Sequence, residues 1–209
     1  MRGADDRFES TSDAAVVYYE LRAEEYDATS WEHPSADAGA SGQVREVLGS
    51  LSPTNTLDIG CGTGYVSRWL PGHLTLLDSS PAMLSIAKRR LPNANTVRAE
   101  IPPLPFADSA FDRVFSANLY GHLTPSPRSE LVGEMVRVAN ELVVLEQLAE
   151  SGSFSEGTEE RSLADGSSFT IHKCYFTVDR LLDELGGGEV LMAGPVFAII
   201  RRHRSQPNE

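Results

Sequence analysis

Leu57-Asp58-Ile59-Gly60-Cys61-Gly62-Thr63-Gly64-Tyr65 leaves the chain few ways to fold. An apolar, β-branched run carrying an acid passes directly into three glycines spaced one residue apart, and an amphipathic stretch from Val66 to Leu70 follows. This order predicts strand, tight turn and helix. Glycine permits positive φ and keeps a Cβ out of a ligand's way, and unpaired amides at a helix start favour a polar or anionic group. An adenosine-like ligand is expected here. A dinucleotide fingerprint requires G-x-G-x-x-G, its third glycine letting helix and strand pack closely. The pattern here is G-x-G-x-G with Tyr65 in that third place, which argues against a nicotinamide oxidoreductase.

A second apolar run, His73-Leu74-Thr75-Leu76-Leu77-Asp78, also ends in an acid, 78 − 58 = 20 residues beyond Asp58. An acid at the tip of the second strand can accept both ribose hydroxyls. Ser79-Ser80-Pro81-Ala82-Met83-Leu84 then starts a helix, with a serine N-cap and Pro81 near its first position. Further on stand Arg98-Ala99-Glu100-Ile101, Leu104-Pro105-Phe106-Ala107-Asp108 and Phe111-Asp112-Arg113-Val114-Phe115-Ser116.

In this order the stretches resemble motifs I to IV of the class I S-adenosylmethionine-dependent methyltransferases. The resemblance covers residues 57 to 116. It implies a doubly wound α/β fold: a mostly parallel seven-stranded sheet with an antiparallel last strand and helices on both faces. It implies adenosylmethionine as cofactor, with Gly60, Gly62 and Gly64 beside the methionyl part and Asp58 ordering its amino end. Asp78 takes the ribose, Met83 the adenine face, Glu100 the adenine amino group and the Ile101 N–H the ring, and Asn118 completes the cofactor set. Two departures stand out: the family more often has Asp at the position of Glu100, and its Lys-Pro-Gly-Gly turn is replaced by Ala139-Asn140-Glu141.

In open α/β sheets ligands bind beyond the carboxyl ends of the strands at the switch in strand order. Ala117-Asn118-Leu119-Tyr120-Gly121-His122, opening from the fourth strand, is therefore expected to face the transferable methyl. It lacks the Asn/Asp-Pro-Pro-Tyr/Phe pattern of amino-directed nucleic-acid and glutamine methyltransferases. His122 is the candidate general base, since a histidine titrates near neutrality; the alternative is a hydrogen-bonded histidine that shapes the pocket. The other histidines have a weaker claim, and no pair shows metal-ligand spacing.

Apolar positions from Ser12 to Glu25 recur at helical spacing. With Tyr26-Asp27 and Trp31-Glu32-His33-Pro34 they resemble the N-terminal lid of small-molecule methyltransferases. Tyr26 is the candidate catalytic lid residue, whereas Tyr18, Tyr19 and Trp31 are read as packing. Residues 35–42 read as a loop and Gln43–Leu51 as a helix. Helices are expected over Ser80–Arg90, Pro125–Ala139 and Val178–Leu185, and strands over Leu142–Glu146, Phe169–Thr177 and Val196–Ile200. Ser151–Ser167 reads as a mobile substrate-side loop, Glu146 as a solvent-facing strand end or a pocket residue, and the basic residues after Ile200 as a frayed tail.

A length of 209 residues with 41% hydrophobic content suits one domain. Its parts are a tail and lid over 1–42, a cofactor core over 43–150 and a substrate side over 151–209. A net charge of −12 disfavours phosphate-backbone association, so no nucleic-acid partner is expected. Two cysteines make no disulfide framework. No run approaches the roughly 20 apolar residues of a membrane span, and the acidic N-terminus lacks signal-peptide features. The reading is a cytoplasmic monomer or homodimer without a metal, transferring a methyl group to oxygen or nitrogen of a small molecule. A protein or RNA methyltransferase and a non-catalytic adenosylmethionine-binding scaffold are the alternatives.

Overall fold

The computed structural model describes residues 11–30, 38–150 and 152–204. Trp31 and His33 lie outside them. Helix α1 (Thr11–Arg22) runs through a short 3-10 turn, Ala23–Glu25, into α2 (Tyr26–Thr29). Helix α3 (Ala38–Gly49) begins five residues before Gln43, so 38–42 is helix and not loop. Ala40, Val44 and Leu48, all buried and four apart, make the stripe that extends it.

Strand β1 (Thr54–Ile59) is followed by β2 (Gly72–Asp78), α4 (Pro81–Arg90), β3 (Asn95–Arg98) and β4 (Phe111–Ala117). After β4 come α5 (Pro125–Val138) and β5 (Ala139–Gln147). They join without a loop, since Ala139 ends the helix in extended conformation and opens the strand. The missing family turn thus sets a register of Phe111 against Ala139.

The expected helix over Val66–Leu70 does not form; a single 3-10 turn, Ser67–Trp69, stands there. Leu70 precedes Pro71 and is extended, as steric clash with a proline ring demands. Gly72 (φ 102°) already belongs to β2, and a Cβ there would lie 2.2 Å from the Thr54 carbonyl oxygen. The chain has no length left for a helix.

Strand β6 (Ser155–Ser162) pairs antiparallel with β7 (Ser168–Tyr175), followed by α6 (Val178–Leu185), β8 (Glu189–Ala193) and β9 (Phe197–His203). Residues 152–167 are thus largely strand and turn, held by backbone pairing that their polar composition conceals. Strand β7 lies outside the main sheet and packs Phe169 and Ile171 against Tyr18 of α1. Arg201 to His203 are not a frayed tail either: they continue β9, with His203 opposite Glu141 and Arg201 2.5 Å from Glu189.

The main sheet has seven strands in the order β3-β2-β1-β4-β5-β9-β8. Strands β1 to β5 are parallel, and β9 runs antiparallel between β5 and β8. Helices cover both faces, which is why the central strands are apolar throughout. One core gathers Leu57, Ile59 and Val114 with Leu131 and Met135 of α5. The other gathers Phe115, Val143 and Ile199 with Val44 and Leu48 of α3. The chain leaves β1 toward β2 and β3 and returns to β4 on the other side, so the strand order reverses between β1 and β4. No helix among the described residues is long and apolar enough to cross a membrane.

Candidate active site

The turn after β1 ends at this reversal. Gly60, Gly62 and Gly64 all take positive φ, of 64°, 52° and 70°. At Gly60 the left-handed backbone and a Leu119 methyl 2.8 Å from where a Cβ would stand both require glycine. At Gly62 the nearest atom to such a Cβ is Met83 Sδ at 4.0 Å, so the turn is open toward the cleft.

Asp78 closes β2 facing this turn. Its Oδ2 accepts the Gly62 N–H at 2.8 Å and its Oδ1 accepts the Ser80 N–H at 2.9 Å. Burial raises its pKa, and the amides oppose that rise. A carboxylate offers about four lone-pair sites, so two remain for vicinal hydroxyls. Ser80 caps α4 by accepting the Met83 N–H at 3.0 Å, and Met83 is buried at the cleft floor. Exposed Glu100 and half-buried Ile101, just past β3, form the wall beyond.

Asn118 follows β4 with φ 55°, a left-handed conformation that a side-chain-bearing residue rarely adopts. Its Oδ1 is buried without a hydrogen-bond partner. Asn118 borders both the main cleft, of about 480 Å³, and a narrow extension of about 30 Å³ beside Asp58, Gly60 and Thr63. Asp58 accepts the Ser67 hydroxyl at the bottom of that extension. Burial pushes its pKa up to about 7, against the pull of that hydroxyl.

The N-terminal segment forms the opposite wall with Ala15, Val16, Tyr19 and Tyr26. Asp27 fastens it to the glycine turn, accepting the Thr63 hydroxyl at 2.6 Å and pairing with Arg90 at 2.5 Å. Glu20 accepts the Ala82 N–H at 3.1 Å and the Ser80 hydroxyl, so it shares in capping α4. Tyr26 lines both the main cleft and its narrow extension, its phenol pushed up to about 12 by burial.

His122 ends the 3-10 turn Tyr120–His122. Its Nδ1 lies 3.0 Å from the His172 carbonyl oxygen, which only accepts, so Nδ1 carries the proton. Nε2 is therefore the acceptor, and the Tyr19 hydroxyl donates to it at 2.9 Å. Burial, reinforced by Lys173, holds the His122 pKa well below its usual value, and burial raises that of Tyr19. Tyr19, read from sequence as packing, is thus the tyrosine that touches His122. No local pattern marks this contact, which spans 103 residues; the Tyr19 and Tyr26 rings lie 6.1 Å apart across the α1–α2 junction.

Glu146 is fully buried under Gly121 and not at a solvent-facing strand end. Neither carboxylate oxygen has a well-aligned hydrogen bond, and burial raises its pKa against the attraction of buried Lys173.

A family model described as a methyltransferase domain matches residues 56–141. Demethylmenaquinone methyltransferase of Thermotoga maritima is 35% identical over 114 residues, 51% of this chain and 49% of that protein. Malonyl-[acyl-carrier protein] O-methyltransferase of Serratia marcescens is 32% identical over 124 residues, 57% and 48% of the two chains. The chain spans about half the length of these curated relatives. Among solved structures, a DhpI–SAM–HEP complex superposes with a TM-score of 0.77 at 26% identity, covering 93% of this chain and 98% of that one. A DhpI–SAH complex gives 0.72 at 26% identity, covering 92% and 97%. The matched span runs from β1 into β5 and carries the cleft floor and one wall, and over it the chain is similar to the class I S-adenosylmethionine-dependent methyltransferases.

Proposed function

We propose that the protein transfers the methyl group of S-adenosylmethionine to an oxygen or nitrogen of a small molecule, releasing S-adenosylhomocysteine. The acceptor sits between α1 and the Tyr120–His122 turn. The observation that carries this reading is the unprotonated Nε2 of His122 in the cleft wall, held by a fixed Nδ1–H and in contact with the Tyr19 hydroxyl.

Bound adenosylmethionine supplies the electrophilic methyl. The protein's part is positioning, since an in-line displacement needs no covalent enzyme intermediate and near-attack geometry contributes up to about 7–11 kcal/mol. Asp78 receives the ribose, Met83, Glu100 and the Ile101 N–H the adenine, and the turn of Gly60, Gly62 and Gly64 the methionyl part. Asp58 and Asn118 line the extension for the amino-acid end. When the acceptor enters, its O–H or N–H replaces the Tyr19 hydroxyl on His122 Nε2 and gives up its proton there. Tyr26 closes the cofactor side.

Similarity to a malonyl-[acyl-carrier protein] O-methyltransferase favours oxygen. The net charge of −12 favours a small molecule over RNA. Two free thiols, one buried, favour a reducing, cytoplasmic setting. The test is adenosylhomocysteine release, followed by mass spectrometry with a panel of phenols, carboxylic acids and amines. Turnover that His122→Asn lowers about 10²-fold or more supports the reading. Adenosylmethionine binding without turnover on any panel member points to the scaffold alternative.

A further inference from the structure

The 3-10 turn that presents His122 is clamped at both ends by one polar ring. The Tyr120 hydroxyl donates to Glu184 Oε2 at 2.9 Å. The same carboxylate takes Arg128 in a fork, Nε to Oε2 at 2.7 Å and an Nη to Oε1 at 3.1 Å. The other Arg128 Nη donates to Glu156 Oε1 at 3.0 Å. That oxygen also lies 3.2 Å from His172 Nε2, a close approach without hydrogen-bond alignment. The His172 carbonyl then accepts His122 Nδ1–H at 3.0 Å, and the peptide from Tyr120 to His122 closes the ring.

Arg128 is 1% exposed and lies among Tyr120, Phe176 and the two carboxylates. A buried guanidinium costs several kcal/mol in desolvation, and its ion pairs often only break even, so its presence is weakly explained by stability. Geometry accounts for it better. His172 is used at both ends: its carbonyl sets the His122 tautomer, and its imidazole packs against Glu156, which Arg128 holds.

We infer that Glu156 and Arg128 are positioning residues, which fix His122 in its Nδ1–H tautomer by holding His172 against it. The inference rests on the proposed role of His122 but is tested apart from it. The experiment is nitrogen-15 NMR of the histidine side chains of the full chain near neutral pH, with His122→Asn assigning the His122 signals. In wild type, His122 should show a single Nδ1–H tautomer. In Glu156→Gln, where Arg128 keeps its Glu184 fork and the fold, His122 should become a tautomeric mixture. Adenosylhomocysteine affinity should stay within about twofold, a change of roughly 0.4 kcal/mol, because the cofactor turn is not touched. Glu156→Asp should restore part of the single-tautomer signal. An unchanged pure Nδ1–H signal in folded Glu156→Gln overturns the inference while leaving His122 free to act as base. A wild-type Nε2–H tautomer overturns both. Full turnover in His122→Asn removes the base and leaves the tautomer result standing.

Discussion

Asp78 Oδ2 accepts the Gly62 backbone N–H at 2.8 Å, so the acid that ends the second strand and the middle glycine of the turn after the first form one unit. Two sequence motifs that seem to be separate ligand contacts are thereby one pre-organised surface. The same carboxylate orients the first amide ahead of α4, and the helix that carries Met83 is aligned by it.

The buried Asp58 gives the protein a pH signature. Burial raises its pKa from 3.8 to about 7, so between those values the folded chain keeps a proton that the unfolded chain has lost. Stability from this group is therefore present at low pH and falls as pH rises toward 7. Asp58→Asn should be more stable than wild type by a larger margin at about pH 8 than at about pH 5, measured as the difference in thermal midpoints without cofactor. An equal margin at both pH values would contradict the assignment.

Gly121 is required by close approach, not by φ. A Cβ there would lie 2.7 Å from the Cys174 carbonyl oxygen and 3.1 Å from Glu146 Oε2. Gly121→Ala should cost about 1–3 kcal/mol, in the range of overpacked cores. At about 2–4 °C per kcal/mol this is plain in a melting curve. It should also displace His122 and lower turnover in excess of the stability loss.

The Asp27 latch should govern how long the cofactor stays. Asp27→Asn keeps shape but discharges the pair with Arg90 and weakens the hold on Thr63. Losing about 1 kcal/mol from such a half-buried contact should speed adenosylhomocysteine release about fivefold in stopped-flow measurements. Unchanged release would mean that the N-terminal segment does not restrain the cofactor.

Much of this architecture was legible because the informative residues are local. Glycines at positive φ, an acid at each strand tip and the Ser80-Pro81 cap announce themselves in consecutive positions. What escaped depends on distant partners. Polar Ser155–Ser162 is a strand only because β7 pairs with it. Val66–Leu70 is not a helix because Leu70 is extended before Pro71 and Gly72 already pairs with Thr54 of another strand. Tyr19 looks like any aromatic on a helix until His122, 103 residues away, meets its hydroxyl. Glu146 reads as a strand end, and only the turn above it and Lys173 beside it bury it.

The most direct measurement is a calorimetric titration of adenosylmethionine into ligand-free wild-type protein and Asp78→Ala. Wild type should bind, and the variant should lose at least about 2–3 kcal/mol, roughly 30- to 150-fold in affinity, because the charged hydrogen bonds proposed to the ribose and the brace on Gly62 vanish together. Equal affinity in the two proteins, with the variant folded, would contradict the account.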